Sequence, residues 1–137
     1  MKKLSGLGFL VFLLIFGLSA NAQLLRYKAT SFSVMEKTAK DQWADWSAFE
    51  PSTVVIAFDS KKNRIVINSQ EIQLFKILTF SDPIETKTTS TLILNCVDND
   101  GGGCKIIIVT HKNEDERLQF YVNYDDVRMV YNVYKTQ

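Results

Sequence analysis

The chain has 137 residues, 16 basic against 15 acidic, with one histidine and two cysteines. That length suits one domain. The balanced charge supplies no basic field, which excludes nucleic acid as a partner class.

The first 23 residues read MKKLSGLGFLVFLLIFGLSANAQ. Lys2 and Lys3 give a basic start, residues 7–18 an apolar run broken only by Gly8 and Gly17, and Ala20-Asn21-Ala22 a small-x-small cleavage pattern. This predicts a secretory signal peptide over residues 1–22. The rival is a membrane anchor, but an apolar run of roughly twelve residues is short of the ~20 that span a bilayer. The mature chain, 23–137, is expected to be exported to the periplasm or beyond, with no membrane span. The leader holds two basic and no acidic residues, leaving 14 basic against 15 acidic, a net −1.

Residues 25–35 predict a first strand. Residues 53–59 and 64–68 follow as a hairpin around the polar turn Ser60-Lys61-Lys62-Asn63. Val54, Ile56 and Phe58 share one face, as do Ile65 and Ile67. Residues 71–80 form the next strand, where apolar parity passes from Ile72 and Leu74 to Phe75 and Ile77, the mark of a bulge. Strands at 89–97, 104–111, 117–124 and 127–134 complete the set. In the last two, Leu118, Phe120, Val122 and Tyr124, then Val127, Met129, Tyr131 and Val133, alternate cleanly, and Asp125-Asp126 makes a tight turn. Closely spaced strands with short connections predict an all-β, up-and-down antiparallel barrel or sandwich of seven to eight strands. A barrel is favoured because closure removes exposed edges. Residues 36–50, EKTAKDQWADWSAFE, admit one short helix, with Ala39, Trp43 and Trp46 at helical spacing. They equally admit a turn at 38–41 and then a strand. In a regular strand Trp-x-x-Trp puts the rings on opposite faces unless a bulge intervenes. Pro51 is expected to end either element.

The stretch NCVDNDGGGCK brackets an acidic, glycine-rich loop with the only two cysteines. In an exported chain they are expected to pair as a disulfide, Cys96 to Cys104. Placing them opposite each other sets Leu94 against Ile106, Leu92 against Ile108 and Ser90 against Thr110. It also leaves Asn99-Asp100-Gly101 as a three-residue loop with glycine at the left-handed position. A redox pair would more often be spaced Cys-x-x-Cys. A calcium loop needs more oxygens than Asp98, Asn99 and Asp100 offer. The opposite face of this hairpin is also apolar, with Ile93 facing Ile107. It is either covered by the Trp43/Trp46 segment or the chain ends, or it is a contact surface.

Catalytic chemistry is not visible. His111 has no second imidazole beside it, no Gly-x-Ser-x-Gly elbow occurs, and the acids cluster in turns such as residues 114–116. No cofactor motif is present: Gly101-Gly102-Gly103 precedes a strand, not a helix. The chain is therefore read as a non-enzyme. Tyr121 and Tyr134 have parity opposite to the apolar face of their strands. With Trp43, Trp46, Ile93 and Ile107 they are the candidate contact residues for a protein or glycan partner.

The leader, the Trp43-x-x-Trp46 pair, VVIAFDSKKNRIVINS, CVDNDGGGCKI and the closing VYNVY resemble small exported, uncharacterised β-barrel proteins of Gram-negative bacteria. A broader likeness is to lipocalin-type barrels, which implies the alternative function of carrying a small apolar ligand inside the barrel. Those barrels usually carry Gly-x-Trp near the first strand. Here Asp41 and Ala44 stand two residues before the tryptophans.

Overall fold

A computed structural model describes residues 24–115 and 117–135. The leader expected at 1–22 lies outside the described residues, as does Glu116. Among the described residues there is no helix, and so none long and apolar enough to cross a membrane.

Ten strands follow one another: β1 (Leu24–Glu36), β2 (Glu50–Pro51), β3 (Val55–Asp59), β4 (Arg64–Asn68), β5 (Ile72–Phe80), β6 (Ile84–Glu85), β7 (Thr89–Asp98), β8 (Gly103–His111), β9 (Arg117–Asn123) and β10 (Val127–Lys135). The hydrogen-bonded order is β10-β9-β8-β7-β5-β4-β3-β1, and β1 also pairs antiparallel with β10. The sheet therefore closes on itself as an eight-stranded barrel. The two-residue strands β2 and β6 are additions, attached to β1 and β7. Closure is what the sequence favoured over a sandwich, and it leaves no long edge to template aggregation.

The eight long strands fall close to their predicted bounds, because their period-two alternation separates an inner from an outer face. Ile56, Ile65, Ile67, Phe75, Leu94, Ile106, Val122 and Val133 are wholly inaccessible to solvent, and Phe120 nearly so. Tyr27, Phe58, Ile77, Cys96, Cys104 and Tyr131 join them in one continuous core. An eight-stranded barrel has an interior just wide enough for its own side chains, and here they occupy it. Tyr27 and Phe120 meet across it with ring centroids 5.4 Å apart.

Two bulges bend the sheet. One lies in β1 between Ala29 and Ser31, and lets both Ala29 and Phe32 face the core. The other lies in β5 between Ile77 and Thr79, not at Leu74–Phe75 as the parity change suggested. Ile72 and Leu74 belong to the outer face, with Ile72 63% exposed, whereas Phe75 and Ile77 point inward. The bulge after Ile77 brings Phe80 back to the core. The two bulged strands flank the β3–β4 hairpin.

The turns follow their residues. Gly101 has φ +87°, the left-handed geometry a three-residue loop demands of its last position. Asn63 takes φ +51° at the end of the β3–β4 turn, a conformation asparagine tolerates.

Residues 37–49 are neither helix nor regular strand. A turn at 38–41, with Asp41 at φ +60°, reverses the chain. The segment then runs back along β1 as an irregular strap. Pro51, opposite Ser31, is the last residue of β2, so it ends that short strand.

The Phe75→Ala variant is expected to lose about 3–5 kcal/mol of stability in urea unfolding, since the ring is fully buried in the barrel centre. A loss below about 1 kcal/mol would mean that the interior is not close-packed.

Candidate functional site

The outer face of β7, β8, β9, β10 and β1 carries the candidate residues. Cross-strand pairing lines up Ile93, Ile107, Tyr121, Val130 and Ser33 in one row. A row pointing at solvent should be polar in a one-sided antiparallel sheet. Instead Val130 is 3% exposed and Ser33 0%, while Ile93, Ile107 and Tyr121 are half-buried.

The cover over Ser33 is the strap. Ser33 Oγ donates to the carbonyl of Ser47 at 2.6 Å, the Val34 amide donates to Ser47 Oγ at 2.9 Å, and the Ser47 amide donates to the Val34 carbonyl at 2.8 Å. Ser47 is thus fixed to β1 by side chain and backbone together. These bonds satisfy the one fully buried polar side chain among the described residues, Ser33.

The strap's register explains the tryptophans. Lys37 pairs with Trp43, and the Ala44 amide donates to the Glu36 carbonyl. The next backbone bond joins Ser47 to Val34, so the strap gains one residue on β1 between Ala44 and Ser47. That extra residue reverses the parity expected of Trp-x-x-Trp and puts both rings on the outside. Trp46 packs edge-on against Tyr121 with ring centroids 6.2 Å apart and remains 37% exposed. Trp43 lies one row away, where the Arg128 guanidinium sits 4.1 Å from its ring centre. A cation over an indole face contributes about 0.5–2 kcal/mol and fixes the ring.

The structure therefore brings Ile93, Ile107, Tyr121 and Trp46 together. Tyr134 lies outside this contact, on the same side of the barrel and 48% exposed, opposite Lys28. The expected covering by the tryptophan segment reaches the Tyr121 end of the row and leaves Ile93 and Ile107 half-open.

Beside the row runs a polar ladder that the sequence reading missed. Asn132 Nδ2 donates to Ser31 Oγ at 3.0 Å, and Gln119 Nε2 donates to Asn132 Oδ1 at 3.0 Å. Arg117 Nη1 donates to the same Asn132 oxygen at 2.9 Å and pairs with Glu114 at 3.0 Å. Gln119 Oε1 then accepts from Tyr121 at 3.3 Å and from His111 Nε2 at 2.8 Å. This directionality places the imidazole proton on Nε2. His111, which has no second imidazole beside it, is a half-buried terminus of this ladder, with Glu114 3.6 Å from its other nitrogen. The signal available was parity: Gln119 and Asn132 alternate out of phase with the core residues, and only strand pairing shows them adjacent.

Cys96 and Cys104 stand directly opposite each other, in the register expected from the sequence. Both point into the core, and both are free thiols here, so the bridge itself is not part of the fold as described. Burial pushes Cys96 up to about 12, reinforced by Cys104, and pushes Cys104 up to about 11. Neither holds a thiolate at neutral pH, the opposite of a reactive redox cysteine. The loop's carboxylate serves the loop. Asp98 accepts from Tyr124 Oη at 2.8 Å, from the Gly102 amide at 2.7 Å and from the Asp100 amide at 3.0 Å. These bonds, Tyr124's foremost, hold the Asp98 carboxyl below its ordinary range, while burial and then the carboxylate raise Tyr124. Among the described residues no group of three metal-ligating side chains occurs.

Comparison with family models, curated proteins and solved structures finds no match to this chain.

Removing the Ser33 hydroxyl should cost about 1 kcal/mol and loosen the strap, which keeps its bonds to Val34 and Glu36. In Ser33→Ala the Trp46 emission is expected to shift red as the ring leaves Tyr121; unchanged emission would show that the serine pair does not hold it. Asp98 offers a pH test. Its folded pKa is lowered, so its stabilising contribution is complete above the ordinary carboxylate value of about 4 and is lost as pH falls through the folded value. In Tyr124→Phe the Asp98 titration, followed by carboxyl carbon NMR, should move up in pH; no movement would remove Tyr124 as its main partner.

Proposed function

We propose that this is an exported, non-catalytic binding protein that engages a protein or glycan partner through the outer face of β7–β10 and the strap. The observation that carries this reading is the row Ile93–Ile107–Tyr121 with Trp46 packed on its end. Folding has left apolar and aromatic surface half-open on the solvent side of a barrel whose core is already complete. Such surface next to hydrogen-bonding side chains is what interface centres are made of: an aromatic anchor, adjacent aliphatic area and a polar rim. The ladder from His111 to Ser31 supplies the rim, and its internal bonding fixes those side chains before any partner arrives, which lowers the ordering cost of association.

The alternative is a lipocalin-like carrier of a small apolar ligand inside the barrel. It requires interior volume, typically a few hundred Å3. The inward rings of Phe75, Phe120 and Tyr27 stand where such a ligand would lie, and this packing favours the outer face.

Export supplies the other half of the reading. In an oxidising compartment the two thiols would close into a bridge. The Asp98 amide donates to the Gly102 carbonyl, which makes 98 and 102 a hydrogen-bonded pair and, two residues on, 96 and 104 another. At such a pair the Cα atoms stand about 5.5 Å apart, inside the range that disulfides span. A bridge there would anchor the hairpin that carries Ile93 and Ile107.

The test is a comparison of wild type with Trp46→Ala/Tyr121→Ala, both presented to a glycan array and to extracellular protein from the host. Loss of an anchor should weaken binding by about 30-fold or more, with thermal stability changed by only a few degrees. A double variant that retains every wild-type interaction would refute the assignment. Protein recovered from the host should also begin at Gln23 and have a mass short of two hydrogens; an intact leader with two free thiols would refute export and the bridge.

A further inference from the structure

One end of the barrel carries a cleft. At the end formed by the β4–β5 turn and the chain entering β3, a cleft of about 740 Å3 opens to solvent. That volume is within the range of small-molecule sites, roughly 300–1,000 Å3. It is distinct from the outer face, sharing no residue with the row ending at Trp46.

Its deepest residues are aromatic. Tyr131 is 5% exposed and belongs to the core, and Phe32 packs beside it with ring centroids 6.2 Å apart and planes tilted by 31°. Both come from the β1–β10 seam, where Phe32 is paired with Tyr131. Around this floor stand small polar side chains. Ser52 and Thr53 come from one wall, and Asn68, Ser69, Gln70 and Gln73 from the other. Gln73 is held in place by Tyr131 and, at 3.4 Å, by Ser69. Ser69 in turn donates to the Glu71 carbonyl at 2.6 Å. Ser69 and Gln73 are thus tied into the turn they line.

The chemistry of this lining is specific. Amides and hydroxyls each donate and accept, so they complement a ligand whose own groups do both. An anion would find no cationic side chain in the lining and would meet Glu71 instead. A wholly apolar ligand would strip water from six polar side chains without replacing their bonds. An aromatic floor under a ring of neutral hydrogen-bonding groups matches a molecule with an apolar face and hydroxyl edges. We propose that the cleft between Phe32/Tyr131 and the 68–73 turn binds a small neutral, hydroxyl-rich ligand of the saccharide class. This assignment does not depend on the outer-face reading.

The test is NMR titration of ¹⁵N-labelled protein. The probes are glucose, N-acetylglucosamine and their β1,4-linked disaccharides, with choline and inorganic phosphate as counter-probes. At least one sugar should produce saturable amide shifts confined to residues 52–54 and 68–73. Gln70→Ala and Asn68→Ala, both at exposed positions of the cleft wall, should keep the wild-type fold and weaken that sugar by about 10-fold each. No sugar-dependent shift at about 10 mM, a range that would still detect millimolar affinity, would overturn the proposal. So would sugar shifts that map to Trp46 and Tyr121, or a response to choline or phosphate in place of sugar.

Discussion

Everything in this molecule depends on one seam. β1 and β10, the two ends of the described chain, pair antiparallel from Tyr27–Lys135 to Glu36–Val127. Without that pairing the sheet is open, with two long edges and half of its core facing water. With it, eight strands enclose a column of side chains that needs nothing else to be complete. The seam joins residues about a hundred positions apart, so its loop-closure cost is met only when the rest of the barrel is in place. The bulge at Ala29–Ser31 is part of this seam, and it lets one strand follow both β3 and β10 around a tight curve.

A closed, filled barrel leaves its surfaces as the places where the proposed binding would occur. On the outside, Ser47 ties the strap to β1 and a single extra residue turns Trp46 over the sheet towards Tyr121. At one end, Phe32 and Tyr131 of the seam form a floor beneath polar walls. The two places differ in kind: the first is broad and aliphatic, the second small and hydrogen-bonding. Both include residues that the closing strands position, so the same constraint that completes the core also sets the two proposed sites.

Much of the architecture was legible in the sequence because a half-buried strand writes its two faces in alternate residues. Leu118, Phe120 and Val122 could be read as an inner face without any knowledge of neighbours. The β7–β8 hairpin was legible in full register, since cysteines, apolar pairs and Gly101 constrain the same alignment. What escaped was whatever depends on pairing between distant strands. The ladder through Gln119, Asn132 and Ser31 joins residues up to 101 positions apart, and no local pattern announces it. The strap was ambiguous for a different reason: a bulge between Ala44 and Ser47 breaks the period that helix and strand are told apart by. The bulge in β5 was misplaced because two outward aliphatics, Ile72 and Leu74, imitate an inner face. Of the candidate site, the residue types were visible from parity alone, while the contact of Trp46 with Tyr121 was not.

The most direct test of this account is native-state hydrogen exchange at the seam. Amides of β1 and β10 that bond across it should exchange only through global opening, with protection equal to that of the β7–β8 hairpin. Seam amides that exchange by local fraying while β7–β8 stays protected would show an open sheet, and would contradict both the complete core and the surfaces assigned from it.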